Sequence, residues 1–121
     1  MTSEMSEAER RFTPSQWVKR MNPADVVGAH VKFVSEESAA AVSHVPNETG
    51  IPYGSSSARD TLDLYGADLP KNSPILVYVS GGYWQELSGK ISAYAARTMY
   101  DEGIVTVVPD YDRAPGGTNR T

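Results

Sequence analysis

Two short apolar runs constrain this chain more than anything else in it: Ile75–Val79 (ILVYV) and Ile104–Val108 (IVTVV). Both are rich in β-branched and aromatic side chains and neither alternates with polar residues, the pattern of strands buried on both faces. Between them Ile91, Tyr94, Ala95, Thr98 and Met99 recur at i, i+3, i+4 spacing, which predicts an amphipathic helix opening near Ser88 and Gly89. Gly103 stands where a left-handed helix cap is wanted. Strand, helix and strand make a βαβ unit, whose strands run parallel. The predicted class is therefore α/β. In such sheets the working residues gather at the carboxyl ends of the strands. Here those ends carry SGGYW (80–84) and DYDRAP (110–115).

The first half reads less sharply. Residues 1–12 are polar and charged and are expected to be disordered, with the folded domain running from 13 to 121. Thr13 before Pro14, and Asn22 before Pro23, are two helix-start signals. The first predicts a short helix ending ahead of Pro23. The second predicts one of about 18 residues with Val27, Val31, Val34 and Ser38 on one face. HVPNETGIPYGSSS (44–57) has the composition of a loop, and TLDLY (61–65) that of a short strand with Asp63 facing out.

Composition removes several functional classes. The net charge of −4 and the longest basic run, Arg10–Arg11, give no stripe for nucleic acid. The absence of cysteine excludes disulfides and thiolate chemistry. No apolar window is long enough for a membrane span, the first residues do not resemble a secretory leader, and a cytoplasmic location is expected. Asn47–Thr49 fits a glycosylation sequon only by chance on that expectation.

The glycine pair Gly81–Gly82 admits two readings. Glycine tolerates the positive φ of a sharp turn. A bare backbone also lets amide N–H groups approach an oxyanion, the charge that develops on a carbonyl oxygen in acyl transfer. The spacing of SGGYWQELSGK fits neither the G-x-G-x-x-G dinucleotide fingerprint nor the G-x-x-x-x-G-K-[ST] phosphate loop. His30 and His44, the only histidines, follow no candidate nucleophile. Ser55, Ser56 and Ser57 read as solvated loop, and Asp110 and Asp112 as polar groups closing a strand end.

With those residues in view, VYVSGGYWQ resembles the HGGXW oxyanion motif of the kynurenine formamidases (arylformamidases), α/β-hydrolases that convert N-formylkynurenine to kynurenine and formate in tryptophan catabolism. FTPSQWVKRM is similar to that family's N-terminal helix, IPYG and LDLY to its first strands, and GIVTVVPDYDRAP to the strand after the oxyanion helix. The resemblance covers roughly residues 12–117 and implies the N-terminal strands and helices of a doubly wound, mostly parallel sheet. It implies no metal or organic cofactor and a small aromatic formamide or ester as substrate. The oxyanion donors it implies are the backbone N–H groups of Gly82 and Tyr83, within the motif Ser80, Gly81, Gly82, Tyr83, Trp84. Ser80 stands where the motif has histidine. The 121 residues hold no G-x-S-x-G, the signature of the α/β-hydrolase nucleophile, and so no Ser–Asp–His triad in that order. A truncated hydrolase, inactive alone, is therefore expected. The alternatives are a fragment of another esterase or lipase, or a non-catalytic binding or regulatory isoform. The missing half of the sheet is further expected to leave IVTVVP as an edge strand open to self-association.

Overall fold

The computed structural model describes residues 4–80 and 91–112. The chain divides into two compact units, with the boundary between Phe33 and Val34.

In the first unit, the described part of residues 1–12 carries a one-turn helix, α1 (Glu7–Arg11). Ser6 and Glu9 form a capping box: the Glu9 N–H donates to Ser6 Oγ at 3.2 Å, and the Ser6 N–H donates to Glu9 Oε2 at 2.7 Å. That backbone donor is the main reason the Glu9 carboxyl sits below its ordinary pKa. Both helix-start signals are used, but the first yields only a 3₁₀ turn, Pro14–Trp17. Trp17 explains how the turn is held, since its Nε1 donates to the Arg10 carbonyl at 3.1 Å and the Arg10 guanidinium lies 4.6 Å from the indole centroid. The second opens with a 3₁₀ turn (Pro23–Asp25), capped by the Asn22 side chain, and continues as α2 (Val26–His44).

The second unit is built on a four-stranded sheet ordered β1–β2–β4–β3, from β1 (Asn47–Pro52), β2 (Thr61–Tyr65), β3 (Ile75–Val77) and β4 (Val105–Pro109). β3 and β4 run parallel, as the βαβ pattern requires. β1–β2 and β2–β4 are antiparallel, so the sheet of the described residues is mixed. The connecting helix, α3 (Ala96–Asp101), is shorter than expected. It ends as expected at Gly103, whose φ is +74°. There the Gly103 N–H donates to the Tyr100 carbonyl and the Ile104 N–H to the Met99 carbonyl, both at 2.9 Å, the pair of bonds that defines a Schellman cap.

Pairing register assigns the side chains to faces. Tyr65, Thr106 and Val108 share one face, and Leu62, Leu64, Val105, Val107, Ile75 and Val77 share the other. The first face is the core: Tyr65 and Val108 cluster with Ala41 and Val45, at and just beyond the end of α2, and with Ala93 and Ala96, all at most 3% exposed. The stripe Val34, Ser38, Ala41, Val45 follows helical spacing and is buried along its length. Ala41 in α2, Ala96 in α3 and Ala93 just ahead of it are the small side chains of this cluster. The buried hydroxyls of Ser38 and Thr106 meet no partner among the described residues, a local cost to stability.

Three expectations are corrected. The loop-like stretch 44–57 contains β1. Its Asn, Glu, Gly and Pro are poor strand formers, and partner pairing overrides propensity. A bulge between Glu48 and Ile51 accommodates the glycine, with Gly50 at φ +68° and its N–H donating to Asp63 Oδ1 at 2.8 Å. IVTVVP is not the edge strand: β4 lies inside the sheet between β2 and β3. The edge is ILV, which was expected to be buried on both faces. Ile75 is 64% and Val77 57% exposed, because no described helix covers the face of the sheet that they share with Leu62, Leu64, Val105 and Val107.

Burial also bears on titration. Desolvation, and secondarily the Asp63 charge, push the Tyr65 hydroxyl up to about 12 from an ordinary 10.0. The folded state thus holds the Tyr65 proton more tightly than the unfolded chain does. Its contribution to stability is complete below pH about 10 and is lost as the pH rises from there through about 12. Tyr94, held up to about 12 chiefly by its hydrogen bond with Tyr78, adds in the same window. Urea unfolding should show stability falling across that range. Tyr65→Phe should make the fall shallower, and an unchanged slope in that variant would refute the assignment.

Candidate functional site

The parallel pair β3–β4 brings two carboxyl ends to the same side of the sheet, and a polar cluster forms there. Ser80 follows β3 and is 3% exposed. Asp110, Tyr111 and Asp112 follow β4. The Tyr111 hydroxyl donates to the Ser80 carbonyl at 2.8 Å, joining the two strand ends. Tyr78 packs edge-on against Tyr94, with centroids 5.4 Å apart and hydroxyls hydrogen-bonded, tying the end of β3 to the segment that leads into α3.

The loop between β1 and β2 closes over the end of β4. Arg59 donates to Asp110 through Nε and Nη2, both at 3.3 Å, in a two-pronged pair. The Tyr53 hydroxyl donates to the Asp110 carbonyl. The Asp110 N–H donates to the Thr61 carbonyl at 2.8 Å. Ser57 Oγ donates to Asp112 Oδ1 at 2.9 Å. The loop keeps its own shape through Asp60, which is 7% exposed and whose Oδ2 accepts from the backbone N–H groups of Ser56 (3.1 Å) and Ser57 (3.2 Å). Gly54 packs close beside it: a Cβ there would lie 3.0 Å from Asp60 Oδ2, and the carboxylate would have to shift to admit it.

Of the residues singled out from sequence, Ser80, Asp110 and Asp112 come together in this cluster, and Ser57 joins them through Asp112. Gly81, Gly82, Tyr83 and Trp84 lie outside the described residues. His30 and His44 are exposed on α2. Four contributors went unread: Tyr53, Arg59, Asp60 and Tyr111. A signal for Tyr111 was present, as it sits between the two aspartates that close β4. Arg59 and Asp110 are 51 residues apart, and no local pattern announces such a pair.

A groove of about 380 Å³ runs along the sheet, lined by Thr49, Thr61, Asp63, Tyr65, Val108 and Asp110 among others. Among the described residues, no cluster of three metal-ligating side chains occurs and no helix is long and apolar enough to cross a membrane.

A mixed sheet in the order β1–β2–β4–β3, with polar groups at the carboxyl ends of its parallel pair, is the arrangement found in α/β-hydrolases. Solved structures agree on the fold. A provisionally designated thioesterase from Silicibacter sp. superposes with a TM-score of 0.65 at 19% identity, over 92% of this chain and 40% of its own. Esterase B from Lactobacillus rhamnosis does so at 0.53 and 20%, over 77% and 32%. The fold is that of the α/β-hydrolases.

Within that class the chain is a homologue of the kynurenine formamidases. It is 37% identical over 112 residues to the kynurenine formamidase of Salmo salar and 36% identical over 115 residues to that of Danio rerio. Each match takes in 92% of this chain and 38% of the relative, so the chain spans well under half the length of the curated relatives it matches. No family model matches it.

Proposed function

We propose that this chain supplies the oxyanion-binding section of a kynurenine formamidase-like serine hydrolase. In the reaction proposed, a serine hydroxyl adds to the formyl carbonyl of N-formylkynurenine. The backbone N–H groups of Gly82 and Tyr83 hold the resulting oxyanion, and collapse expels kynurenine and leaves a formyl ester for water to release as formate. No group in these residues is assigned as nucleophile, acid or base, so the chain by itself is expected to turn over no substrate. The observation that carries the proposal is the 36–37% identity to kynurenine formamidases over nearly the whole chain. The Tyr83 side chain and the adjacent Trp84 suit an aromatic substrate. The cytoplasm is the proposed location, consistent with a chain that contains no cysteine.

The test is a chimera in which the matching residues of this chain replace their counterparts in the Salmo salar relative. It is expected to hydrolyse N-formylkynurenine with a higher kcat/KM than a p-nitrophenyl ester. A folded chimera that cleaves only the ester would replace this reading with that of an ester hydrolase.

A second, non-catalytic reading rests on the exposure of Ile75 and Val77 along β3 and of Val79 (60%) just beyond it. Through this edge the chain would associate with a second copy or with a longer relative. A sharp monomer peak on size exclusion at high micromolar concentration would dismiss it.

A further inference from the structure

We propose that the groove along the sheet is a binding site for a small primary ammonium ion with an apolar body, held by the Asp63 carboxylate. The site is separate from the proposed reaction and does not rest on it. The groove, of about 380 Å³, is at the small end of ligand pockets and has room for a one-ring amine. It follows the helix-facing side of β2 and β4. Thr61, Asp63 and Tyr65 alternate along β2, Val108 and Asp110 along β4, and Asp63 pairs directly with Val108. Val42 of α2 also lines it.

Asp63 is the unusual member of this lining. It is a half-buried carboxylate two residues from the core Tyr65, on the same face, in a strand with neighbours on both sides. Shielding such a charge from water is costly unless an opposite charge meets it. Its Oδ1 accepts from the Gly50 N–H at 2.8 Å and so holds the bulge of β1, a bond that leaves the negative charge in place. Among the described residues no cationic side chain pairs with Asp63, and none lines the groove. Asp110 differs, since the Arg59 fork takes its carboxylate. The Asp63 charge reaches the Tyr65 hydroxyl, where it is the second cause, after burial, of the raised pKa. These features select the ligand. The uncompensated charge calls for a cation. Thr49, Thr61 and Tyr65 bring hydroxyl oxygens that can accept from the other protons of an ammonium group, which has three to donate. Val42, Val108 and the Tyr65 ring suit an apolar body. A carboxylate on the ligand would find the Asp63 charge and no cation to receive it. An amine is therefore expected to bind in preference to the corresponding α-amino acid.

The test follows the ¹⁵N-labelled 121-residue chain at neutral pH through the amide resonances of Thr61, Asp63, Tyr65 and Val108. 2-Phenylethylammonium chloride is expected to shift them with a Kd on the order of 1–10 mM, weak because few atoms make contact. 2-Phenylethanol keeps the ring and chain without the charge, and L-phenylalanine adds a carboxylate. Each should bind about tenfold more weakly or worse, the factor that one charge-assisted hydrogen bond supplies. Asp63→Asn keeps an oxygen for the Gly50 N–H and removes only the charge, so it should weaken the ammonium ion about tenfold while the bulge stays intact. Glu48→Gln is the control: Glu48 pairs with Leu64, whose side chain lies on the other face, and its loss should leave the affinity within about twofold. Absence of shifts with the ammonium ion, equal binding of the alcohol or the amino acid, or undiminished affinity in Asp63→Asn would each overturn the site. If Asp63→Asn does not fold, the three ligands on the wild-type chain decide alone.

Discussion

Gly82→Pro, introduced into the formamidase chimera, is expected to lower kcat about 100- to 1,000-fold with little change in KM. Proline has no backbone N–H, so the substitution deletes one of the two proposed donors. A preorganised donor aimed at a developing oxyanion acts mainly in the transition state, and losing one characteristically costs two to three powers of ten in rate. Because the ground-state carbonyl gains little from it, the loss should fall on kcat. Gly82→Ala separates this from simple disturbance of the turn, since it keeps the N–H and adds only a methyl group. A proline variant that is folded and within tenfold of its parent would remove Gly82 from the oxyanion site. A loss carried by KM alone would make the residue a contributor to substrate binding instead.

Tyr65→Ala should destabilise the chain by about 3–5 kcal/mol, the range for removing a large aromatic side chain from a core. Tyr65 is 2% exposed and packs in the cluster with Ala41, Val45, Ala93, Ala96 and Val108. Its neighbours are mostly alanines, which have no longer rotamer with which to fill the space, so the cavity should collapse poorly. The loss is a large fraction of the stability of a domain this size, and most of the chain should be unfolded at 37 °C. Tyr65→Phe keeps the ring and should retain most of the stability at neutral pH. Urea midpoints for the two variants measure both effects. A cost below about 1 kcal/mol for the alanine variant would mean that the α2–sheet contact is not the main core.

The features legible in sequence were those encoded within a few residues. The asparagine–proline start before α2 and the left-handed cap at Gly103 each depend on neighbours close in the chain, and the parallel pairing of the two apolar runs follows from the strand–helix–strand pattern that joins them. β1 was not legible, because its composition is that of a turn and its strand geometry comes from pairing with β2. Strand order was not legible either. Both ILVYV and IVTVV satisfy the description of a central strand, and only the long-range antiparallel pairing of β2 with β4 puts the second inside and the first at the edge. At the candidate site, the strand ends and the two aspartates were readable from position alone. The contacts of Arg59, Tyr53 and Tyr111 were not, because hydrogen bonds spanning 31 to 57 residues leave no periodic trace.

The sheet carries its helices on one side, while Leu62, Leu64, Val105 and Val107 on the other are only partly covered and Ile75 and Val77 are largely bare. That asymmetry makes the second unit an amphiphile on the scale of a whole sheet, with a wettable back and an oily front. Such a body is expected to be surface-active: it should adsorb at air–water and plastic interfaces, take up fluorescent hydrophobic dyes while still folded, and lose solubility steeply in salting-out ions, each of which can be measured directly.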